Sequence, residues 1–383
     1  MTSRTQLPEP SFIDRDADVL VRDYITLYEQ VTGKVLEPAQ PERLFIDMVA
    51  YREYLLRVEI QKTAMQCLVN YATGYALDHL GIRLGVTRLP AAAARTTVRF
   101  TLVSEQTVNI LIPVGTQIRT KDSKFTFATD VSAVIEAGAV YVDVSAVCTE
   151  AGQEGNGYIA GDINTMLSTL PYMQSAVNIS ASYGGSDEES DDHLADRIIN
   201  APESFSVAGP AGAYRFWAKT AHPDIIDVGI TSPSDAVVYV YPMTSGGAPS
   251  AEIISLVESL LGVGNDRSDI RPLTDKVAVF PPTIVEYSVE VNVTVYTTAD
   301  ADSVKKLIDS AIDAYAVEMM SALGMDIVKS QLHGRIMSVY GVYDAVLTIK
   351  DGSGNVISVK SLDKSQYASM TSKTVNITGD ADG

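Results

Sequence analysis

Five carboxylates occupy the six positions from Asp187 to Asp192, within GGSDEESDDHLADRI at residues 184–198, and His193 follows them. Side chains of these types can bind calcium, share a catalytic proton or start a helix. A calcium loop alternates its oxygen ligands around a central glycine and ends on glutamate, whereas these acids are contiguous and would fall on several faces of a helix. A glycoside hydrolase holds two carboxylates across a cleft, which one acidic run does not specify. A helix start does have this order, because four unpaired N–H groups and a partial positive charge favour Ser or Asp caps and an acidic first turn. The expectation is a cap at Ser186 or Ser190, acids from Asp187 to Asp192 in the first turns, and Leu194, Ile198 and Ile199 on the apolar face.

Other chemistry is sparse. The four histidines, 79, 193, 222 and 333, have no spacing that puts two ligands on one helical face, and no nucleophile elbow or phosphate loop occurs. LGVGNDR at 261–267 comes nearest to a dinucleotide loop but has Arg267 where the third glycine belongs. Cys67 and Cys148 sit in apolar contexts and read as buried thiols. The triplets at Asn178, Asn292 and Asn376 match a glycosylation pattern with no secretion signal ahead of them, and read as chance. No catalytic residue, cofactor or metal is expected.

The elements that would position any site follow from composition and periodicity. The chain has 383 residues, 46% hydrophobic and 20% charged, enough for several cores. Its net charge of -19 splits into about -2 over residues 1–90 (10 basic, 12 acidic) and -17 over the rest (19 basic, 36 acidic). That balance repels phosphate backbones, so direct nucleic-acid binding is not expected. No apolar stretch is long enough to span a membrane, and the chain reads as made in the cytoplasm without membrane insertion.

The fold class expected is multidomain α+β: an N-terminal helical segment, a small all-β domain, then one or two ferredoxin-like α+β units. The boundaries are 1–92, 93–183, 184–282 and 283–383. From Arg95 the period is two, with turns at Pro113, Gly115, Gly138 and Gly152. After Asp224 strands and helices alternate in two successive units, which suggests a duplication. Within 41–85, one long helix or two in line, Met48, Tyr51, Leu55, Val58, Met65 and Val69 recur at spacings of three and four, with Lys62 as the one charged interruption. Such a seam packs against a partner helix, either in an intramolecular hairpin or in a bundle shared between subunits.

Six stretches in order along the chain resemble the baseplate J-like family of contractile-tailed bacteriophages and related injection machines. They are LDHLGIRLGVTR at 77–88, IPVGTQIRT at 112–120 with FTFATD after it, AGQEGNGYIAGDI at 151–163, the acidic stretch at 184–198, AGPAGAYRFWAKTAHPDIIDV at 208–228, and SQLHGRIMSVYGVYDAVL at 330–347. The resemblance implies a non-enzymatic virion subunit of the tail baseplate, assembled in the host bacterial cytoplasm. It implies a hetero-oligomer with copies of itself and a second wedge protein, in a six-fold ring around the hub and beside the sheath-initiating proteins, that relays the change triggering sheath contraction. The competing expectation from a different class is a tail-associated glycan or peptidoglycan hydrolase using scattered carboxylates.

Overall fold

Asp16 opens the first helix, α1 (Ala17–Thr32), by accepting the N–H groups of Asp18 at 2.9 Å and Val19 at 3.2 Å, and Gly33 closes it at φ 70°. Both ends follow from residue type, since an Asp oxygen satisfies first-turn donors and only glycine takes a left-handed cap without strain. The computed structural model describes residues 8–264, 267 and 269–382. Of these, the part up to Arg88 forms one unit together with Asp191–Ile199, and the remainder forms a second.

In the first unit, α2 (Pro41–Met65) begins on a proline whose missing N–H costs nothing there. It does not continue through the following residues. Cys67 donates to the Ala64 carbonyl at 3.1 Å and Leu68 to Met65 at 3.0 Å, three-residue steps that tighten the last turn, and Gln66 Oε1 accepts the Thr73 N–H at 2.9 Å. A second helix, α3 (Gly74–Ile82), starts at Gly74, whose φ of 50° breaks the line. Residues 41–85 are therefore two helices. Val69 lies in the turn between them, and Cys67 there is exposed rather than buried. α4 (Asp191–Asn200) completes the unit.

The second unit begins with the β domain. Its strands are β1 (Ala93–Leu102), β2 (Ile110–Ile112), β3 (Gln117–Thr120), β4 (Thr126–Thr129), β5 (Ala133–Ile135), β6 (Tyr141–Ala151), β7 (Ile163–Met166) and β8 (Met173–Asn178). Six form an antiparallel sheet in the order β7-β3-β4-β6-β1-β8, and β2 pairs with β5. Period-two alternation puts Val98, Phe100, Ile118, Phe127, Val144 and Ile163 inside. The sheet curls until its two ends meet, and Asn178 joins them. Its Oδ1 accepts the N–H of Gly161 at 3.0 Å and of Ile163 at 2.9 Å, while its Nδ2 donates to the Ile159 and Ser180 carbonyls at 2.9 and 2.8 Å. Asn178 is 1% exposed, so its triplet is structural.

Next come α5 (Ala211–Thr220), β9 (Ile225–Ser234), β10 (Val237–Thr244), α6 (Ala251–Leu261) and β11 (Lys276–Val279). β9 and β10 are antiparallel, and β10, α6 and β11 form a parallel crossover in a sheet ordered β11-β10-β9. Tyr214, Ala218, Val240 and Val257 fill its core, with Trp217 packed beside them. The C-terminal part runs β12 (Thr283–Tyr296), α7 (Ala301–Met319), β13 (Ile327–Val328), α8 (Lys329–Met337), β14 (Val342–Asp351), β15 (Val356–Ile357), β16 (Val359–Lys360) and β17 (Gln366–Ala381). Its main sheet is ordered β15-β14-β12-β17. Val304, Ile308, Ile312, Tyr315 and Met319 make one stripe of α7 that covers the alternating valines of β12.

The mixed helix-and-sheet class agrees with the expectation, and the strand pairing departs from the ferredoxin pattern. α7 and α8 lie in a single connection between the antiparallel neighbours β12 and β14, and the two sheets differ in strand number and order. Alternation marks a strand but does not say which strand it will pair with.

Candidate assembly interface

The inward face of α2 is Ile46, Ala50, Glu53, Arg57 and Gln61, at spacings of four, three, four and four. Its lower half is polar. Tyr24 of α1 donates its hydroxyl to Glu53, and Arg57 clamps the same carboxylate from Nε at 2.8 Å and Nη2 at 2.6 Å. The Tyr24 hydroxyl and then Arg57 hold the Glu53 carboxyl below its ordinary range, and donating its O–H to the Glu53 carboxylate raises the Tyr24 phenol. Gln61, 2% exposed, donates to the Pro10 carbonyl at 2.7 Å and accepts the Phe12 N–H at 2.9 Å. The loop back from α1 is fixed by Leu36, buried, whose N–H donates to Glu29 Oε1 at 2.9 Å.

The seam read from the sequence lies elsewhere on the same helix. With about 100° between successive residues, Met48, Tyr51 and Leu55 point roughly 120–180° away from the inward face. Met48 is 55% and Tyr51 60% exposed, and Leu55 is half-buried. A repeat near 3.5 drifts about 20° per heptad on a straight helix, which carries Val58 and Met65 round to the flank, where both are half-buried. Val69 is off the helix. The intrachain partner α1 thus occupies a face that the seam does not include. Leu44, Leu56 and Ile60 add exposed apolar surface to α2. A second apolar surface is a groove of about 740 Å³ between the C-terminal half of α1 and the start of α2, lined by Leu27, Tyr28, Val31, Phe45, Ile46 and Val49. Large exposed apolar patches occur where a protein contacts another protein, a membrane or a ligand.

The acidic run divides its work. The helix starts only at Asp191, so Asp187, Glu188 and Glu189 precede it and do not crowd its first turn. Glu189, 3% exposed, accepts the Leu89 N–H at 2.8 Å, and Asp187 accepts the Gln153 N–H at 3.0 Å. In the helical unit, Asp191 accepts the Gly74 N–H at 3.1 Å and Arg88 Nη2 at 2.6 Å, and Arg88 Nε also donates to Asp78 at 2.9 Å. Stretches quoted separately from the sequence are thereby joined: 77–88 with 191, and 151–163 with 184–189, where Asn156 exchanges two hydrogen bonds with the Gly185 backbone at 2.7 and 2.8 Å. Nothing in the sequence pairs Arg88 with Asp191, because more than a hundred residues separate them.

Family profiles match four consecutive stretches: the baseplate J-like N-terminal domain at 41–95, the baseplate J-like protein barrel domain at 97–185, the baseplate J-like central domain at 206–281 and the baseplate J-like protein C-terminal domain at 287–377. The chain belongs to the baseplate J-like family. Among relatives, baseplate protein J of Escherichia phage P2 is 29% identical over 150 residues, 39% of this chain and 48% of that protein. The uncharacterized protein YqbT of Bacillus subtilis (strain 168) is 28% identical over 148 residues, 39% of this chain and 37% of that protein. The chain thus matches about half the length of these relatives or less. A chain of the anti-feeding prophage baseplate superposes over 92% of this chain and 90% of its own length, with a TM-score of 0.45 and 15% identity.

Proposed function

We propose that this baseplate J-like protein is a structural wedge subunit of a contractile tail, of a phage or a related particle. In this reading copies of the chain and a second wedge protein join into a ring around the tail hub. The ring is built in the host cytoplasm and passes on the rearrangement that triggers sheath contraction. The observation that carries the reading is the outward face of α2, where Met48 and Tyr51 are exposed and Leu55 is half-buried while α1 packs on the opposite side. The family supports a structural rather than an enzymatic role.

Deleting the gene in its source and imaging the particles tests this reading. Tubes and sheaths without an assembled baseplate are the expected result. Complete baseplates that no longer breach a cell wall would favour the hydrolase alternative instead.

A further inference from the structure

One feature of the second unit is not used by the helical interface. Between the end of the β domain and the turns flanking β9 and β10 there is a polar notch of about 250 Å³, lined by Gln153, Asn156, Gly185–Ser190, Pro223, Asp224 and Ser245. It holds four carboxylates, those of Asp187, Glu188, Glu189 and Asp224, and no basic side chain lines it. Two of them are steadied by a neutral donor, Asp187 by the Gln153 N–H and Asp224 by the Ser245 hydroxyl. Asp187, Glu188 and Asp224 form no ion pair among the described residues. Ser186 in the notch wall is 6% exposed, and its Oγ, buried, has no hydrogen-bond partner. A buried hydroxyl without a partner is uncommon in a folded protein and calls for a further polar partner, an ordered water or a group from outside.

We propose that this notch receives one arginine side chain from another protein subunit, whose guanidinium lies among Asp187, Glu188 and Asp224. Three properties select that occupant. The excess negative charge calls for a cation. The volume is below the roughly 300–1,000 Å³ of small-molecule sites and suits a single long side chain. The acceptors are spread over separate chain segments, which a planar fork with five N–H donors can reach together and a compact ammonium cannot. Among the described residues no three His, Cys, Asp or Glu side chains converge as metal ligands, so the notch offers dispersed acceptors and not a coordination shell. The steadied carboxylates are pre-organised, which limits the ordering cost of the contact and makes it a determinant of partner choice.

The test is an NMR titration of the full chain, following the amides of Gln153, Asn156 and Gly185, with Nα-acetyl-arginine amide, Nα-acetyl-lysine amide and calcium chloride in parallel. Saturable shifts with the arginine compound, at least tenfold weaker with the lysine compound and lost in the Asp187→Asn/Asp224→Asn variant, are expected. Saturable shifts with calcium that the same variant abolishes would make the notch a divalent-cation site and overturn the proposal, as would no response to arginine. Glu188→Arg provides a second reading in the assembled particle: the isolated variant keeps the wild-type melting temperature, while its incorporation falls at least tenfold and is regained through charge reversal of an arginine in a neighbouring subunit. Normal incorporation would also refute the arginine contact. Because the titration needs no assembly, its outcome is independent of whether the wedge reading holds.

Discussion

Replacing Met48, Tyr51 and Leu55 together by serine removes the outward apolar face of α2 without touching Ile46, Ala50 or the Glu53–Arg57 pair that hold α2 to α1. Full burial of a side chain of this size stabilises by roughly 1.5–3 kcal/mol. Met48 and Tyr51 keep a little over half of their surface exposed, so covering them in a bundle contributes about 1–1.5 kcal/mol each, and half-buried Leu55 adds roughly 0.5–1. The triple variant should thus lose about 3 kcal/mol of association energy, on the order of a hundredfold in affinity. Its own stability should move by no more than about 0.5 kcal/mol at each of the exposed Met48 and Tyr51 and by roughly 1 kcal/mol at half-buried Leu55. Affinity is read by co-purification and sedimentation with the proteins encoded beside this one, and stability by thermal unfolding of the variant alone. Ile46→Asp is the contrasting control, because a charge on the inward face is buried without a partner and should unfold the helical unit. Wild-type association of the triple variant, or a loss of several kcal/mol in its own stability, would refute the assignment of this face to a partner.

Three further outcomes follow from the second unit and from the ion pairs. Asn178→Ala leaves the N–H groups of Gly161 and Ile163 and the carbonyls of Ile159 and Ser180 without their partner at the barrel closure, and should cost about 3–5 kcal/mol by denaturant titration; a loss below about 1 would mean the barrel closes without it. Arg88→Lys cannot span Asp78 and Asp191 at once, and should lower stability by roughly 1–3 kcal/mol and raise hydrogen exchange in α3 and α4, a result that unchanged exchange would contradict. Burial raises the Glu252 carboxyl above its ordinary 4.5, against the opposing influence of Arg95, and its Oε2 has no hydrogen-bond partner. The folded state therefore holds that proton more tightly than the unfolded chain, so the contribution is intact below about pH 4.5 and is lost as pH rises through the folded value. Glu252→Gln should melt higher than the wild type at pH 7 and together with it near pH 4; equal melting at both would show that the carboxyl is not penalised.

Local chemistry is written along this sequence, and long-range pairing is not. The period of two in β1 was legible from Arg95 onward, and the Asp16 and Gly33 caps, the proline start of α2 and the stripe on α7 likewise depend on residues within a few positions. The break between α2 and α3 depended on Gly74 taking a positive φ, which the composition allowed but did not require. The sharper surprises involve distance. Asn178 reads from the sequence as a chance glycosylation triplet, and its role as the barrel clasp is set by Gly161 and Ile163 beside it. The acidic run reads as one helix start, yet Asp187 and Glu189 accept the backbone N–H groups of Gln153 and Leu89, which are distant in sequence. The period of three and four on α2 was visible, but that it faces away from α1 emerged only from the polar contacts of Glu53, Arg57 and Gln61 on the other side.

A wedge subunit is defined by the composition of the complex it forms. Native mass determination of the chain co-expressed with its neighbours should give a discrete assembly containing more than one copy of it plus a second protein, dispersed by the Met48, Tyr51 and Leu55 substitutions. A strict monomer that binds none of its neighbours would contradict the account.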